Sequence, residues 1–410
     1  MNNRIHLVEY SPLIGHHLPY LKVLTKHFLE KGCMVTIWVI DQKNQEKLLS
    51  YLDGFSSEFL DIRVLVFSYR FKFLIKTGRV VFSKYHHSLG VWGLVKANLS
   101  KTAHRNDLVF MTWLQHSCTQ VPKILRSWLL PKNWMAIDGF AIEKSPTLPQ
   151  ENFDRYLKST HEIQIYGEPS CRAILLLNEE MPPVLAERFP GTNFIKFPDF
   201  IEPVTVTDHP AICKEIQKKA KNRKIFLFSG RMIPKRNFIP FLKIVKDLDV
   251  EKWHPCAVGS LEKTDYTEQE WAFIQKTMAT CPALFLKNLR PDDYELNSLI
   301  QMADLFWLAY KNHPHSSNML TRAANYKTAV AATEGSLIAS RSERYKLGLS
   351  INPYDAQKSA QLINEFIPFH ISASGQQQYA TEQSIDALDK VIENLLTGPL
   401  TTSNFLKIHL

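Results

Sequence analysis

The segment FSGRMIPKRNF, Phe228–Phe238, holds the strongest local set of groups able to bind an anion. An apolar strand is expected to end at Ser229-Gly230, and a helix to begin near Asn237 or Phe238. Small residues let a backbone approach a ligand, and a helix N-terminus offers unpaired N–H groups. Arg231 and Lys235 stand four positions apart, with Arg236 adjacent. A guanidinium fork beside a point charge would neutralise a diphosphate. By composition alone an ordinary cationic surface loop reads equally well. A second segment, HPHSSNMLTRAANYKT (His313–Thr328), follows the apolar run LFWL. Its Ser316, Ser317 and Asn318 are good helix N-caps. The helix they start would aim its amides at the C-terminal ends of the strands. Taken alone, capping without a ligand is the simpler reading.

Imidazoles and one carboxylate form a third set. GHHLP places His16 and His17 directly after Gly15, TWLQHS places His116 after an apolar run, and MAIDGF places Asp138 after another. An imidazole with an ordinary pKa of ~6.5 suits the removal of a proton from a hydroxyl near neutral pH. Asp138 and His116 would be polar contacts at strand ends facing the same crevice. The competing reading of each histidine is capping or packing.

The elements that must position these groups alternate along the chain. Arg4–Glu9 (RIHLVE) is a short apolar strand. Leu21, Leu24 and Phe28 then recur at helical spacing, with Lys31-Gly32 as the stop. Val35–Ile40 follows as a second buried strand, which makes a βαβ unit and implies a parallel sheet. Ile62–Phe67, Leu108–Trp113, Trp134–Ile137 and Ile163–Tyr166 are further expected strands. A helix carrying Ala173, Leu176 and Leu177 and a strand at Phe194–Phe197 close the first half. FPDFIEPVTVTDHP is punctuated by proline like an interdomain linker. The second half repeats the pattern. Strands are expected at Ile225–Phe228, His254–Val258, Ala283–Leu286, Leu305–Leu308 and Thr328–Ala332. Helices are expected at Phe238–Leu248, around Met319–Tyr326 and at about Ser384–Leu396.

Composition sets the bounds. With 410 residues, of which 45% are hydrophobic, two α/β domains of similar size are expected. No apolar run reaches the ~18 residues that span a bilayer. The start MNNRIHLVEYSP lacks a secretory pattern. Six scattered cysteines form no CxxC pair, which suits a reducing cytosol and no structural zinc. The net charge of +9 is concentrated. Residues 62–106 contain no Asp or Glu but nine cations: Arg63, Arg70, Lys72, Lys76, Arg79, Lys84, Lys96, Lys101 and Arg105. The remaining 40 Lys and Arg balance the 40 Asp and Glu. Interleaved aromatics make an anionic membrane surface the expected partner of this stretch. No nucleic-acid motif accompanies it. A solvated basic face over core aromatics is the plainer alternative.

Taken in order, these motifs resemble a glycosyltransferase of the GT-B type, closest to family 4, the large group of retaining, nucleotide-sugar-dependent enzymes. FSGRMIPKRN resembles that family's Gly-Arg…Lys segment, which implies that Gly230, Arg231 and Lys235 hold the donor diphosphate. AVGS, LFLKNLRPDD and ADLFWLAY resemble the following strands and loops, with Asn288, Leu289 and Arg290 at the nucleobase. SSNMLTRAANYKTAVAATEGS resembles the cradle of the distal phosphate, which implicates Ser316, Ser317, Asn318, Met319 and Leu320. Glu334, in the ATEGS turn, would meet the donor sugar or simply sit in a plain turn. IKFPDFIEP resembles the interdomain linker. In the N-terminal half, Pro12–His17 resembles the glycine-rich first loop, where Gly15 would admit the donor phosphate. GHHLP also resembles the start of inverting enzymes whose histidine is the general base.

The resemblance implies an α/β GT-B fold, two Rossmann-like domains facing each other across a cleft. Residues 1–203 would bind acceptor and 204–380 the donor, with a C-terminal helix in 381–410 crossing back to the first domain. Two family glutamates would fall at Pro314 and Arg322, and neither position is acidic. Arg322 would then add a cation beside the diphosphate or face solvent. Asp247-Leu248-Asp249 spells an acid-x-acid metal signature, but at a helix end rather than after a strand. No metal or other cofactor is expected. The implied function is sugar transfer with retention to a glycan or lipid-linked polysaccharide precursor, by a cytoplasmic enzyme peripheral on the inner face of the membrane. The alternatives are an inverting enzyme using His16 or His17, and a catalytically silent binding or assembly subunit.

Overall fold

The computed structural model describes residues 4–13, 17–52, 58–66, 86–100, 102–104, 106–114, 118–138, 165–313, 315–367 and 371–397. The described chain divides into two compact units. Residues up to Pro198 together with residues 388–397 form the first, and Asp199–Ala387 the second.

In the first unit the order is β1 (Arg4–Glu9), α1 (His17–Glu30), β2 (Met34–Val39), α2 (Gln42–Tyr51), β3 (Leu60–Val64), α3 (His86–Leu99), β4 (Leu108–Met111), α4 (Lys123–Leu129), β5 (Trp134–Asp138), β6 (Cys171–Leu176), α5 (Met181–Arg188) and β7 (Phe194–Lys196). The strands form one sheet in the order β3-β2-β1-β4-β5-β6-β7, and every pairing is parallel. β1 lies between β2 and β4, with Glu9 opposite Val39 and Val8 opposite Met111. Chain order therefore reverses between β1 and β4, and the crevice outside their C-terminal ends is where such sheets bind ligands.

The second unit contains α6 (Ala211–Ala220), β8 (Lys224–Ser229), α7 (Phe238–Lys246), β9 (Trp253–Gly259), α8 (Glu268–Thr280), β10 (Phe285–Asn288), α9 (Asp293–Met302), β11 (Leu305–Leu308), α10 (Asn318–Asn325), β12 (Ala329–Thr333), α11 (Leu337–Tyr345), β13 (Gly348–Ile351), α12 (Ala356–Asn364) and α13 (Ala373–Glu382). Its sheet runs β10-β9-β8-β11-β12-β13, again parallel, with the reversal between β8 and β11. IFLF reads as unbroken apolar sequence because both faces are covered. Ile225 and Leu227 join one core cluster, Phe226 and Phe228 the other.

The last helix, α14 (Ile385–Thr397), belongs to the first unit from Leu388 onward. Asp389 pairs with His27 of α1, Glu393 lies 3.2 Å from the Lys31 ammonium, and Arg172 donates to the Leu395 carbonyl.

One expected helix is a strand. Ala173 and Leu176 lie on β6, between β5 and β7, and Ile165–Gly167 before it is a single 3₁₀ turn. CRAILL is buried on both faces, so its apolar run carries no period that separates strand from helix. Residues 163 and 164 lie outside the described residues. So do seven of the nine clustered cations; Arg63 and Lys96 are described, and Arg63 pairs with Asp61.

Candidate functional site

In the second unit the β8 and β9 exits press together. Gly230 adopts φ +105°, and its N–H donates to the Val258 carbonyl at 3.0 Å. A Cβ on Gly259 would stand 1.6 Å from the Gly230 oxygen, and a Cβ on Gly230 would stand 2.1 Å from Arg236 Nη1. Gly259 therefore excludes a side chain, because it would meet backbone, whereas at Gly230 the positive φ disfavours one and Arg236 would have to move aside. The loop passes through a 3₁₀ turn, Pro234–Arg236, to Asn237 in the left-handed region at φ 56°. That turn is fastened to the exit of β11. Lys311 N–H donates to the Lys235 carbonyl at 2.9 Å, Trp307 Nε1 to the Arg236 carbonyl at 2.9 Å, and Asn237 Nδ2 to the Ala309 carbonyl at 2.9 Å. Arg236 folds back, with Nη1 3.1 Å from the Ser229 carbonyl and its guanidinium 5.5 Å from the Tyr310 ring centre.

Lys235 and Arg236 thus stand at the sheet's switch point. Both also act on His313, whose pKa is lowered to about 4 by burial first, then by His315, Lys235 and, more weakly, Arg236. Arg231 lies elsewhere. It is half exposed, and one Nη reaches both Asp265 oxygens at 2.8 and 3.0 Å.

Ser316 donates to Asp199 at 2.6 Å and accepts from the buried Arg341. Thr321 donates to the Asp199 carbonyl at 2.9 Å, which ties the start of α10 to the beginning of the linker. Ser317 is the N-cap of α10 but makes no capping bond through its hydroxyl. Asn318 opens the first turn, Met319 packs on the core and Leu320 is buried in it. Asn288 spends its amide on Leu261, accepting from its N–H and donating to its carbonyl, both at 3.0 Å. The Leu289 and Arg290 side chains beyond it are exposed. Glu334 is exposed in the turn before α11, its N–H bonded to the Ile351 carbonyl at 2.8 Å. Arg322 neither joins the cation pair nor faces solvent. It donates to Asn297 at 2.6 Å and Asp293 at 3.1 Å, clamping α10 to α9. Its charge is matched there by Asp293.

In the first unit the described site centres on a residue that the sequence marks only as the end of a strand. Glu9, the last residue of β1, is 1% exposed. Its carboxylate accepts from the Ser11 N–H at 3.0 Å, lies 3.0 Å from the Thr112 hydroxyl, and meets His17 Nδ1 at 2.9 Å. The Ser11 N–H and His17 donate to this buried anion, and the Thr112 hydroxyl shares its single proton between Glu9 and the Val8 carbonyl at 3.1 Å. A carboxylate only accepts, so Nδ1 carries the proton in this pairing and Nε2 is the basic nitrogen of the neutral ring. The ring also packs 5.6 Å from Trp113, which Tyr20 meets edge-on at 5.9 Å. Thr112 and Trp113 follow β4, so this constellation occupies the first sheet's switch point.

Asp138 ends β5 but turns inward. It is 1% exposed and accepts from the Tyr166 hydroxyl, which is itself buried. Burial first, and then this carboxylate, hold the Tyr166 hydroxyl well above its usual pKa. The expected polar contact at this strand end is therefore a core hydrogen bond. Gly15, His16 and His116 lie outside the described residues. An acid at the C-terminal end of a strand is the sign the sequence offers of Glu9.

No family model matches the chain, and no curated protein sequence matches it. Solved structures do. A glycosyltransferase from Rickettsia africae ESF-5 superposes with a TM-score of 0.66 at 12% identity, covering 97% of this chain and 100% of that one. The structure of trehalose-6-phosphate from E. coli bound with UDP-2-fluoro glucose gives 0.64 at 11% identity, covering 96% and 99%. An alpha,alpha-trehalose-phosphate synthase (UDP-forming) from Burkholderia vietnamiensis gives 0.66 at 10% identity, covering 97% and 98%. At such identities the likeness is one of architecture, and with its two successive Rossmann-like sheets this chain has the GT-B fold.

Proposed function

We propose that the chain transfers a sugar from a nucleotide-sugar donor to a hydroxyl acceptor, with retention at the anomeric carbon. One observation carries the reading: Lys235 and Arg236 are held at the switch point of the second sheet beside the side-chain-free Gly230 and Gly259. Backbone and cations there fit a diphosphate. Charge grows on the leaving nucleoside diphosphate as the sugar departs, and preorganised cations stabilise it. Arg231 joins them by leaving Asp265. An exposed ion pair is worth only ~0–1 kcal/mol, so the exchange costs little. Protein cations do this work in the proposed mechanism, and no metal takes part. The resemblance of the Gly-Arg…Lys segment to family 4 supports retention. The relative from E. coli, bound with UDP-2-fluoro glucose, supports the donor class.

The Glu9–His17 pair favours a second reading. An imidazole oriented by a buried carboxylate is suited to taking the acceptor's proton, which inversion requires. The anomeric configuration of the product, read by NMR, separates the two. A chain that binds nucleotide sugar but transfers nothing to any acceptor tried would be the silent subunit.

The acceptor class in this reading is a lipid-linked saccharide or surface polysaccharide precursor at the inner face of a membrane. The unbalanced cations of residues 62–106 support it. So does the outer side of α4, where Ile124 is 81% and Trp128 49% exposed beside Lys123. Among the described residues no helix is long and apolar enough to cross a membrane, so attachment would be peripheral.

A further inference from the structure

Beyond the cations, the switch point of the second unit carries two histidines. The His313 ring packs edge-on against Tyr310, with centres 5.2 Å apart, and edge-on against His315, 5.5 Å apart. Tyr310 is the ring over which Arg236 lies. Guanidinium, phenol and two imidazoles therefore form one continuous cluster between the β8 and β11 exits. Within it His313 Nε2 is buried and has no hydrogen-bond partner among the described residues. A buried polar atom without a partner is uncommon and calls for a missing ligand or a reason.

The groups facing His313 oppose a positive charge on its ring. His315 stands on its own loop, Lys235 and Arg236 on the turn after β8, and all three oppose a positive charge. Only a backbone hydrogen bond at Ser316 works the other way. With burial added, these groups keep the imidazole neutral far below neutral pH. A diphosphate on Lys235 and Arg236 would reverse that field, since two negative charges would then stand where His313 meets only cations.

We propose, on the donor reading above, that His313 is a proton-linked donor contact: diphosphate binding draws one proton from solvent onto Nε2, which then donates a hydrogen bond to a phosphate oxygen. Nucleoside diphosphate release after transfer returns that proton to solvent. His313 becomes a third charge on the leaving group only while the diphosphate is bound.

The test is calorimetric titration of the full chain with UDP-glucose, ADP-glucose, dTDP-glucose and GDP-mannose, run in two buffers of unlike ionisation heat. The diphosphate diesters of these probes do not titrate between pH 5 and 8, so proton uptake reports the protein. The wild-type chain should take up protons on binding, and its affinity should rise as pH falls, approaching ~tenfold per pH unit between the free and bound pKa values. His313→Gln should abolish uptake and flatten the pH dependence while leaving measurable binding; His315→Gln should retain uptake. Binding without uptake in the wild type needs no variant to interpret and overturns the proposal, as does uptake that survives in His313→Gln. Either result leaves the donor reading standing. Failure of every probe to bind the wild type at any pH overturns the donor reading itself, and this inference with it.

Discussion

Replacing Glu9 by Gln changes the charge of the first unit's site and almost none of its shape. The carboxylate is buried and accepts from Ser11 N–H, the Thr112 hydroxyl and His17 Nδ1. A glutamine can still accept from Ser11 with its oxygen. Its NH₂ then faces His17, which must present a lone pair at Nδ1 and move its proton to Nε2. Hydrogen bonds to a charged acceptor are worth ~1.5–3 kcal/mol against ~1 for neutral ones, so Glu9→Gln should cost about 1–2 kcal/mol. Glu9→Ala leaves the Ser11 and His17 donors without an acceptor, and about 3–5 kcal/mol is expected. At ~2–4 °C per kcal/mol for a domain of this size, that lowers Tm by on the order of 10 °C.

The catalytic consequence separates the two mechanisms. If His17 is the base of an inverting reaction, the wrong tautomer in Glu9→Gln should lower kcat by ~10²–10⁴-fold. If the reaction retains configuration, the fall should stay within ~tenfold. Tautomer by ¹⁵N NMR, melting and single-turnover rate are the assays. A Glu9→Gln chain that keeps its proton on Nδ1, with Glu9→Ala melting within ~2 °C of the wild type, would refute the reasoning about this dyad.

Gly259→Ala should fail to fold or lose at least ~3 kcal/mol, because the new Cβ would stand 1.6 Å from the Gly230 carbonyl and only backbone movement relieves it; urea melts decide this. His254 is held at a pKa of about 4 by burial, with Arg223 and Lys219 adding to it. Its native pKa lies below that of the unfolded chain, so the unfolded state binds more protons as pH falls from ~6.5 toward 4 and stability declines across that window. His254→Val should flatten the decline measured by denaturant unfolding. Ile124→Ser with Trp128→Ser should weaken sedimentation with anionic vesicles several-fold while leaving Tm within ~2 °C, since both side chains are exposed.

How legible these features were depended on whether their causes were local. IFLF and LFWL announce buried parallel strands because two covered faces demand unbroken apolar sequence. The same property hid β6, since CRAILL fits a helix equally well. β13, GLSI, escaped because it lies at the sheet edge and three of its four residues are only partly buried. The cationic loop was visible, but not which of Arg231, Lys235 and Arg236 turns where. That depends on Asn237 in the left-handed region and on backbone bonds to β11, some seventy residues away. Arg322 was read as a ligand or a surface charge because its partners, Asp293 and Asn297, lie a helix away. Glu9 shows in the sequence only as the end of a strand, since its partners meet it only once β1 and β4 pair and α1 packs.

In the proposed donor site, the β8 loop of the second unit holds a nucleotide diphosphate sugar. Titration of the chain and of its Lys235→Ala variant with the four nucleotide sugars tests it most directly. The account predicts saturable one-to-one binding of at least one of them, weakened by at least ~tenfold in Lys235→Ala at unchanged Tm, as expected for loss of one charge-assisted contact. Binding that Lys235→Ala leaves unaltered, or no binding of any of the four, would contradict it.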